Sequence, residues 1–374
     1  MMTLLWCLAA PTLVAAAMGA INAFTWTRGH ATGDLSQVSV CIPARDEEAT
    51  IEPVVRAALA SNPLEVVVCN DNSTDATTEL LAAIGATDPR LRVIDAPPLP
   101  AGWVGKVRAC HLLTREATSA TLIFVDADTE VRPGGLQRVI QLLDHHDASI
   151  VTAVPRQVVG SWMERLVVPL LHVTYTSWLP LALVWASKNP RFLAANGQIV
   201  GIRRSALTEI GGFEAIKDQV VDDMALCRRA KEHGHRVVFA DGHHMANCRM
   251  YDSASQVWEG FSKNIFEGLG ESIIALTAVS TLYILAFVAP YVLAMASIWL
   301  PELRPVAVTM LSVALLSRIA LAIRHKHPVT SVVFHPLGVL VLIAIAWNSM
   351  RWSRSGTIHW AGRTYPRLSS RDTP

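Results

Sequence analysis

Residues 3–26 carry no charge, and the last third of the chain, from Ile273 onward, is again built mainly of apolar runs. In hydrocarbon a backbone has no water to bond, so runs of this kind are confined to helices, and about 20 apolar residues suffice to cross a bilayer. The positive residues Arg28 and His30 follow the first run and do not precede it, which argues for a membrane helix over a cleaved signal. By the positive-inside rule the chain after Arg28 is then cytoplasmic. Residues 273–300 and 306–323 read as two further spans, the second closed by Arg324-His-Lys-His327. Residues 329–347 form a third candidate, interrupted by His335-Pro336. A full crossing there strands Arg351, Arg354, Arg363, Arg367 and Arg371 outside, so a re-entrant or interfacial hairpin competes with it.

Between these ends the pattern alternates strands with amphipathic helices, the sign of a mostly parallel α/β sheet. Strands are predicted at 38–42, 65–69, 91–95, 121–125, 149–154 and 236–240, and helices at 48–60, 106–117, 135–143 and 224–232. Ser73 or Thr74 is the expected cap of the helix after the second strand. Residues 161–187 turn apolar and aromatic, with Trp162, Tyr175, Trp178 and Trp185, but Pro169 and Pro180 break the run and Glu164, Arg165 and His172 charge it. That composition favours an interfacial segment over a span. The layout is a membrane helix at 1–27, a catalytic region at 28–272 containing the interfacial segment, a membrane region at 273–350 and a basic tail at 351–374. A net charge of +1 gives no nucleic-acid footprint, and six scattered cysteines without C-x-x-C spacing read as reduced thiols.

The strand Thr121-Leu-Ile-Phe-Val125 delivers Asp126 and Asp128 at its C-terminal end. Side chains at i and i+2 of an extended chain point the same way, so the two carboxylates could share a hard cation, Mg²⁺ or Mn²⁺, that carries a diphosphate. Taken alone, a D-x-D after a strand is more readily an ordinary turn. Two other strand ends carry polar clusters, Pro43-Ala44-Arg45-Asp46-Glu47-Glu48 and Asn70-Asp71, and in a doubly wound sheet such ends face one crevice. His145-His146 is most simply a helix end, and His243-His244 lacks the company of a metal site.

The ordered set Val40-Cys-Ile-Pro-Ala-Arg-Asp-Glu-Glu48, Asn70-Asp-Asn-Ser-Thr-Asp75, Gly105-Lys106, Asp126-Ala-Asp128, Gly211-Gly-Phe213 and Val221-Asp-Asp223 resembles the inverting family-2 glycosyltransferases of GT-A fold, which is Rossmann-like and mostly parallel. Pro100-Ala-Gly-Trp-Val-Gly-Lys106, Arg249-Met-Tyr251, Gly260-Phe-Ser-Lys-Asn264, His335-Pro-Leu-Gly338 and Trp360-Ala-Gly-Arg-Thr-Tyr365 are similar to membrane-bound members of the hopene-associated and carotenoid (diaponeurosporenoate-type) kind. The resemblance implies that Pro43, Ala44, Glu47 and Asp71 line the nucleotide pocket, with Lys106 near the diphosphate. It implies Asp128, with Asp126, as holder of the divalent cation, and Asp223, the second acid of its pair, as the base. Asp222 is expected to face elsewhere and to accept helix N-terminal N–H groups. Gly197, Arg249, Lys263 and Asn264 are candidate contacts of acceptor or diphosphate. Processive relatives carry Q-x-x-R-W before their spans; here Trp258-Glu-Gly-Phe-Ser-Lys-Asn264 stands instead, with no Arg-Trp pair.

The expectation is a multi-pass membrane enzyme moving one sugar from a nucleotide donor, UDP-linked in the first instance, to a lipid acceptor such as an isoprenoid at the cytoplasmic face. A non-catalytic scaffold of degenerate transferase fold and a polysaccharide or glycolipid synthase of the same fold are the alternatives. A nucleotidyltransferase is a further rival, disfavoured because Arg45-Asp-Glu-Glu48 stands where a Gly-rich basic loop belongs.

Overall fold

The computed structural model describes residues 2–355, 358–360 and 363–365. The chain divides into two compact units that interleave along the sequence. Residues 26–158 and 181–250 form the sheet unit; residues 1–25, 159–180 and 251–374 belong to a unit of apolar helices.

The sheet unit holds β1 (Val38–Ala44), β2 (Glu65–Asn70), β3 (Leu91–Asp95), β4 (Thr121–Val125), β5 (Thr129–Val131), β6 (Ile150–Gln157), β7 (Ile199–Arg203) and β8 (Val237–Cys248). They form one sheet in the order β3-β2-β1-β4-β7-β6-β8-β5. β1 runs parallel to β2 and β4, β2 to β3, and β6 to β8, whereas β7 is antiparallel to both its neighbours and β5 to β8. β2 is buried along its whole length, as a run without alternation requires, and β3 alternates because it is the sheet edge. The helix Gly135–His145 buries Leu136, Val139, Ile140, Leu142 and Leu143. It lies so close to β7 that a Cβ on Gly201 would stand 2.4 Å from Val139 Cγ1, which fixes glycine there.

Three local expectations change. β5 and β7 have no counterpart among the predicted strands, and the helix that follows β1 begins at Ile51, not Glu48. Neither Ser73 nor Thr74 caps the helix Thr77–Gly85. Both turn instead to Asp46, whose φ of 54° is left-handed: the Asp46 N–H donates to Ser73 Oγ (3.0 Å), and the Thr74 N–H donates to Asp46 Oδ1 (2.7 Å). Asp75 fills the remaining gap, accepting from the Glu48 and Thr77 amides. Two strand-end loops are thereby laced together.

Among the described residues of the helical unit, three helices are long and apolar enough to cross a membrane: Trp6–Thr25, Ile273–Ala296 and Pro301–His325. Residues 159–180 contribute the short helices Trp162–Val167 and Leu170–Trp178, parted at Pro169, and Glu164 completes a capping box with Ser161. Asn22 Nδ2 donates to the carbonyls of Thr176 and Leu179, both at 2.8 Å, and Tyr283 OH to Thr174 Oγ1 at 2.9 Å. Polar side chains on apolar helices find acceptors inside the unit because lipid offers none. The third C-terminal candidate does break before His335, giving helices Val329–Val333 and His335–Ser355. The second part is continuous for 21 residues and carries Arg351 and Arg354. Of the Trp360-Ala-Gly-Arg-Thr-Tyr365 motif and the basic tail, only the paired backbones Ile358–Trp360 and Arg363–Tyr365 are described; residues 361–362 and 366–374 lie outside the described residues.

Candidate active site

The C-terminal ends of β1, β2 and β4 lie side by side because the strands are parallel and in register. β1 ends in Pro43 and Ala44, and the amide of Asp71, just past β2, donates to the Ala44 carbonyl at 2.8 Å. Arg45 Nη1 in turn donates to the Asp71 carbonyl at 2.8 Å, fixing the loop around a buried carboxylate. The Asp126 amide donates to the Gln198 carbonyl at 3.1 Å. Because β7 is antiparallel, it is the residues before this strand, Asn196, Gly197 and Gln198, that meet the C-terminal end of β4.

A cleft in the sheet unit is lined by Pro43, Lys106, Cys110, Phe124, Asp126, Gly197, Val200, Phe213, Asp222, Asp223 and Leu226. Lys106 stands in the first turn of the helix Gly105–Glu116, and its Nζ meets Asp126 Oδ1 at 2.6 Å. Burial opposes the lysine's charge, but Asp126 and Asp222 together hold the ammonium well above its ordinary range. A Cβ on Gly197 would lie 3.3 Å from Lys106 Nζ and 3.5 Å from Asp223 Cβ, so any larger residue there would crowd both. Six of the expected site residues, Pro43, Lys106, Asp126, Gly197, Asp222 and Asp223, thus share one cleft.

The acidic pair opens the helix Asp222–Glu232. Asp222 and Asp223 both line the cleft. It is Asp223, not Asp222, whose carboxylate accepts a helix N–H, that of Met224 at 2.7 Å. Burial, reinforced by the charge of Asp222, pushes the Asp223 carboxyl up to about 6.

Asp126 and Asp128 leave β4 in close succession. Burial pushes Asp126 up to about 6, against the pull of Lys106, and burial also raises Asp128, which accepts from Thr129 Oγ1 at 3.0 Å. Glu47, held by Thr50 Oγ1 at 2.6 Å, is pushed up to about 7 by burial and by the charges of Asp128, Asp126 and Asp75. Among the described residues no three His, Cys, Asp or Glu side chains gather as a metal cluster. A mutually repelling set of carboxylates against a single lysine nevertheless fits a cation that brings oxygen ligands of its own. Arg249 is exposed just past β8, and Lys263 and Asn264 belong to the helical unit.

One supporting chain has no counterpart in the sequence reading. Gln157 Nε2 donates to Gln198 Oε1 (2.9 Å), Gln198 Nε2 to Cys248 Sγ (2.8 Å), and Thr152 Oγ1 bonds both the amide and the carbonyl of Asn196. These buried groups set the backbone that receives Asp126; their only local signal is a polar residue at the end of an apolar strand.

A model described as glycosyltransferase like family 2 matches residues 36–266. The 4,4'-diaponeurosporenoate glycosyltransferase of Staphylococcus haemolyticus is 24% identical over 238 residues, 62% of this chain and 62% of that protein. Its counterpart in Staphylococcus aureus is 24% identical over 233 residues, 61% of this chain and 60% of the relative. The match therefore spans less than two thirds of these relatives' length. Among solved structures, a mannosyltransferase from Pyrobaculum calidifontis, in complex with GDP-Man and Mn²⁺, is similar with a TM-score of 0.58 at 17% identity, over 92% of this chain and 99% of that one. That likeness is one of fold, the GT-A arrangement of a mixed, mostly parallel sheet.

Proposed function

The chain belongs to the glycosyltransferase family 2, and from that premise we propose that it transfers a single sugar, with inversion, from a nucleotide donor to a lipid acceptor at the cytoplasmic face of a membrane. The observation that carries the proposal is the convergence of Lys106, Asp126, Asp222 and Asp223 on one cleft at the C-terminal edge of the sheet. A UDP-linked donor suits Asp71, an acceptor-only carboxylate opposite an imide N–H, with Pro43, Ala44 and Glu47 as the neighbouring wall. Lys106 meets the diphosphate as a point charge.

Asp128 and Asp126 are the residues to hold a divalent cation. When bound, it supplies charge stabilisation to the departing nucleoside diphosphate. Asp223 takes the proton of an acceptor hydroxyl as that oxygen attacks the anomeric carbon from the side opposite the leaving group, whereas an acceptor carboxyl is already ionised at neutral pH and attacks as the carboxylate. A carboxyl near 6 is well matched to this task, because it is ionised at neutral pH and is a stronger base than an ordinary aspartate. Gly197 keeps the space between Lys106 and Asp223 free of side chain.

A lipid acceptor accords with the three helices able to cross a membrane and with the carotenoid-acid acceptor named for the staphylococcal relatives. Single transfer accords with the absence of an Arg-Trp pair from the stretch Trp258–Asn264, ahead of the C-terminal apolar helices. Lipid mass spectrometry of cells with the active protein and with Asp223→Asn tests the whole reading. One added sugar mass on one lipid class is expected. A ladder of sugar additions would reject single transfer, and no lipid difference would reject the acceptor class.

A further inference from the structure

The helix His335–Ser355 is about 31 Å long, enough by length alone for a fourth crossing of the membrane. Its neighbours decide whether it crosses. At its start, the His335 ring stands edge-on to Phe287 at 5.5 Å. Phe287 lies about 20 Å along the stretch Ile273–Ala296 from Ile273 and about 13 Å short of Ala296. Towards its end, the helix meets the beginning of that stretch and the residues leading into it. Trp347 Nε1 donates to Ser280 Oγ at 3.3 Å, the Phe266 amide to Ser349 Oγ at 3.0 Å, Asn348 Nδ2 to Ser262 Oγ at 3.0 Å and Ser353 Oγ to Glu271 Oε1 at 2.8 Å. The helix therefore runs antiparallel to Ile273–Ala296, from partway along it back to the face at which that stretch begins.

The leg that leads to this starting point is fixed as well. The helix Arg304–His325 is closed by Lys326 in the left-handed region (φ 52°), where the chain reverses. Six residues past His325, Ser331 is back beside Arg318, which lies about 10 Å inside the helix end. Arg318 Nη2 donates to the Ser331 hydroxyl at 2.7 Å and to the Ser331 carbonyl at 3.3 Å. Val339, just past the bend, shares an apolar cluster with Phe287, and Leu321 packs against the same cluster. Backbone that bends within hydrocarbon must find its partners inside the protein, and the buried guanidinium supplies one at the bend.

A hairpin lying on the membrane surface would turn a polar side to water. Residues 328–350 contain no Asp, Glu, Lys or Arg, and the large side chains exposed around the bend are Val329, Val333, Phe334, Leu337 and Leu340. Such a face suits acyl chains and not water.

We propose that residues 328–355 form a re-entrant hairpin whose tip, residues 333–337, is seated against acyl chains inside the bilayer without reaching its far face. The stretches Ile273–Ala296 and Pro301–His325 cross once each and the hairpin does not cross, so the chain leaves the membrane after Arg354 on the face where residues 262–271 lie. Arg324, Lys326, Arg351 and Arg354 then share one face, as the positive-inside rule requires. This inference rests on the membrane reading of the apolar helices and not on the sugar-transfer chemistry.

The test places single cysteines in the full chain lacking Cys7, the other described cysteines being buried, and adds a membrane-impermeant maleimide to either side of sealed vesicles. Glu259→Cys, at an exposed position, marks the face of entry, and Glu302→Cys, exposed at the turn between the two crossing helices, marks the opposite face. Arg354→Cys is expected to be labelled from the same side as Glu259→Cys. Phe334→Cys and Leu337→Cys are expected to stay unlabelled from both sides until detergent is added. A nitroxide at either tip position should be relaxed by oxygen and not by a water-soluble nickel chelate, a preference that burial inside protein alone does not give. Labelling of Arg354→Cys together with Glu302→Cys makes the helix a full span and overturns the proposal. Labelling of the tip cysteines from the entry face, or nickel relaxation there, places the hairpin in water and overturns it equally. Glu259→Cys and Glu302→Cys labelled from one side would bring down the two crossings, and the hairpin with them. None of these readouts uses transferase activity, so failure of the sugar-transfer reading would show separately.

Discussion

Replacing Asp223 by Asn separates the chemical role of this residue from its structural one. The Asn side-chain oxygen can still accept the Met224 N–H now bonded at 2.7 Å, so the start of the helix Asp222–Glu232 and the thermal midpoint should change little. The basicity disappears, and the loss of a positioned base costs roughly 10²- to 10⁴-fold in turnover. Asp222→Asn should behave differently. Asp222 is the charge that, after burial, holds the Asp223 carboxyl at about 6. With that value, Asp223 is about ten parts ionised to one at pH 7 and about one part to ten at pH 5, so wild-type kcat/KM should fall roughly tenfold between them. Removing the Asp222 charge lowers the Asp223 carboxyl, moves the acid limb of the profile to lower pH and leaves the rate at pH 7 nearly intact. The assay is donor-saturated turnover between pH 5 and 8 for the two variants, beside donor affinity. If Asp222→Asn abolishes turnover with donor binding unchanged while Asp223→Asn stays active, the base has been assigned one residue too far along the helix.

Asp128→Asn removes a charge at nearly constant shape. Metal-dependent donor binding should weaken by more than the roughly 10- to 100-fold typical of losing an outer-shell partner, and full activity in chelator would remove the metal from the mechanism. In a background lacking Cys7, cysteines introduced at the exposed positions Glu130 and Lys188 should be labelled only from the cytoplasmic side of sealed vesicles, and outside labelling of either reverses the topology. Lys231, 2% exposed, donates to the carbonyls of Val184, Ser187 and Phe192 at 2.7, 2.8 and 2.7 Å. Lys231→Met should cost roughly 1–3 kcal/mol for each carbonyl left unpaired and dry; a urea midpoint equal to wild type would show that water takes the lysine's place.

The elements that could be read from sequence are those whose signal is local. β1 and β2 are short, mainly apolar and β-branched runs, and the carboxylates behind β4 stand where a parallel strand must present them. β7 escapes because Gly201 reads as a breaker, while its real cause is the helix packed 2.4 Å from the missing Cβ. β5 is three residues long and exists through its partner, Thr129 opposite Cys248. The Ser73 and Thr74 assignment fails for a similar reason: Asp46, nearly 30 positions away, competes successfully for both. Spacing brought Asp222 and Asp223 to the site, but not the bond by which Asp223 accepts the Met224 N–H. Gln157, Gln198 and Cys248 are brought together only by the sheet order.

The interleaving of the two units along the chain bears on how this protein can be made and divided. Cutting after Met250 does not yield a free catalytic fragment, because residues 159–180 remain looped out between β6 and β7 with Leu170 and Val173 stripped of the C-terminal helices they pack against. Such a piece would be prone to aggregate for reasons unrelated to its sheet. Gln157 and Gln198 stand 2.9 Å apart through their side chains, so β6 and the approach to β7 are tied to each other by bonds that do not involve residues 159–180. A polar linker in place of residues 159–180, long enough to join Val158 to Leu181, is the route to a catalytic unit without that segment, provided residues 181–192 are kept for Lys231 to hold. Recombination between relatives faces the same restriction: no single crossover exchanges one unit whole, so the unit of apolar helices and the sheet unit are inherited together.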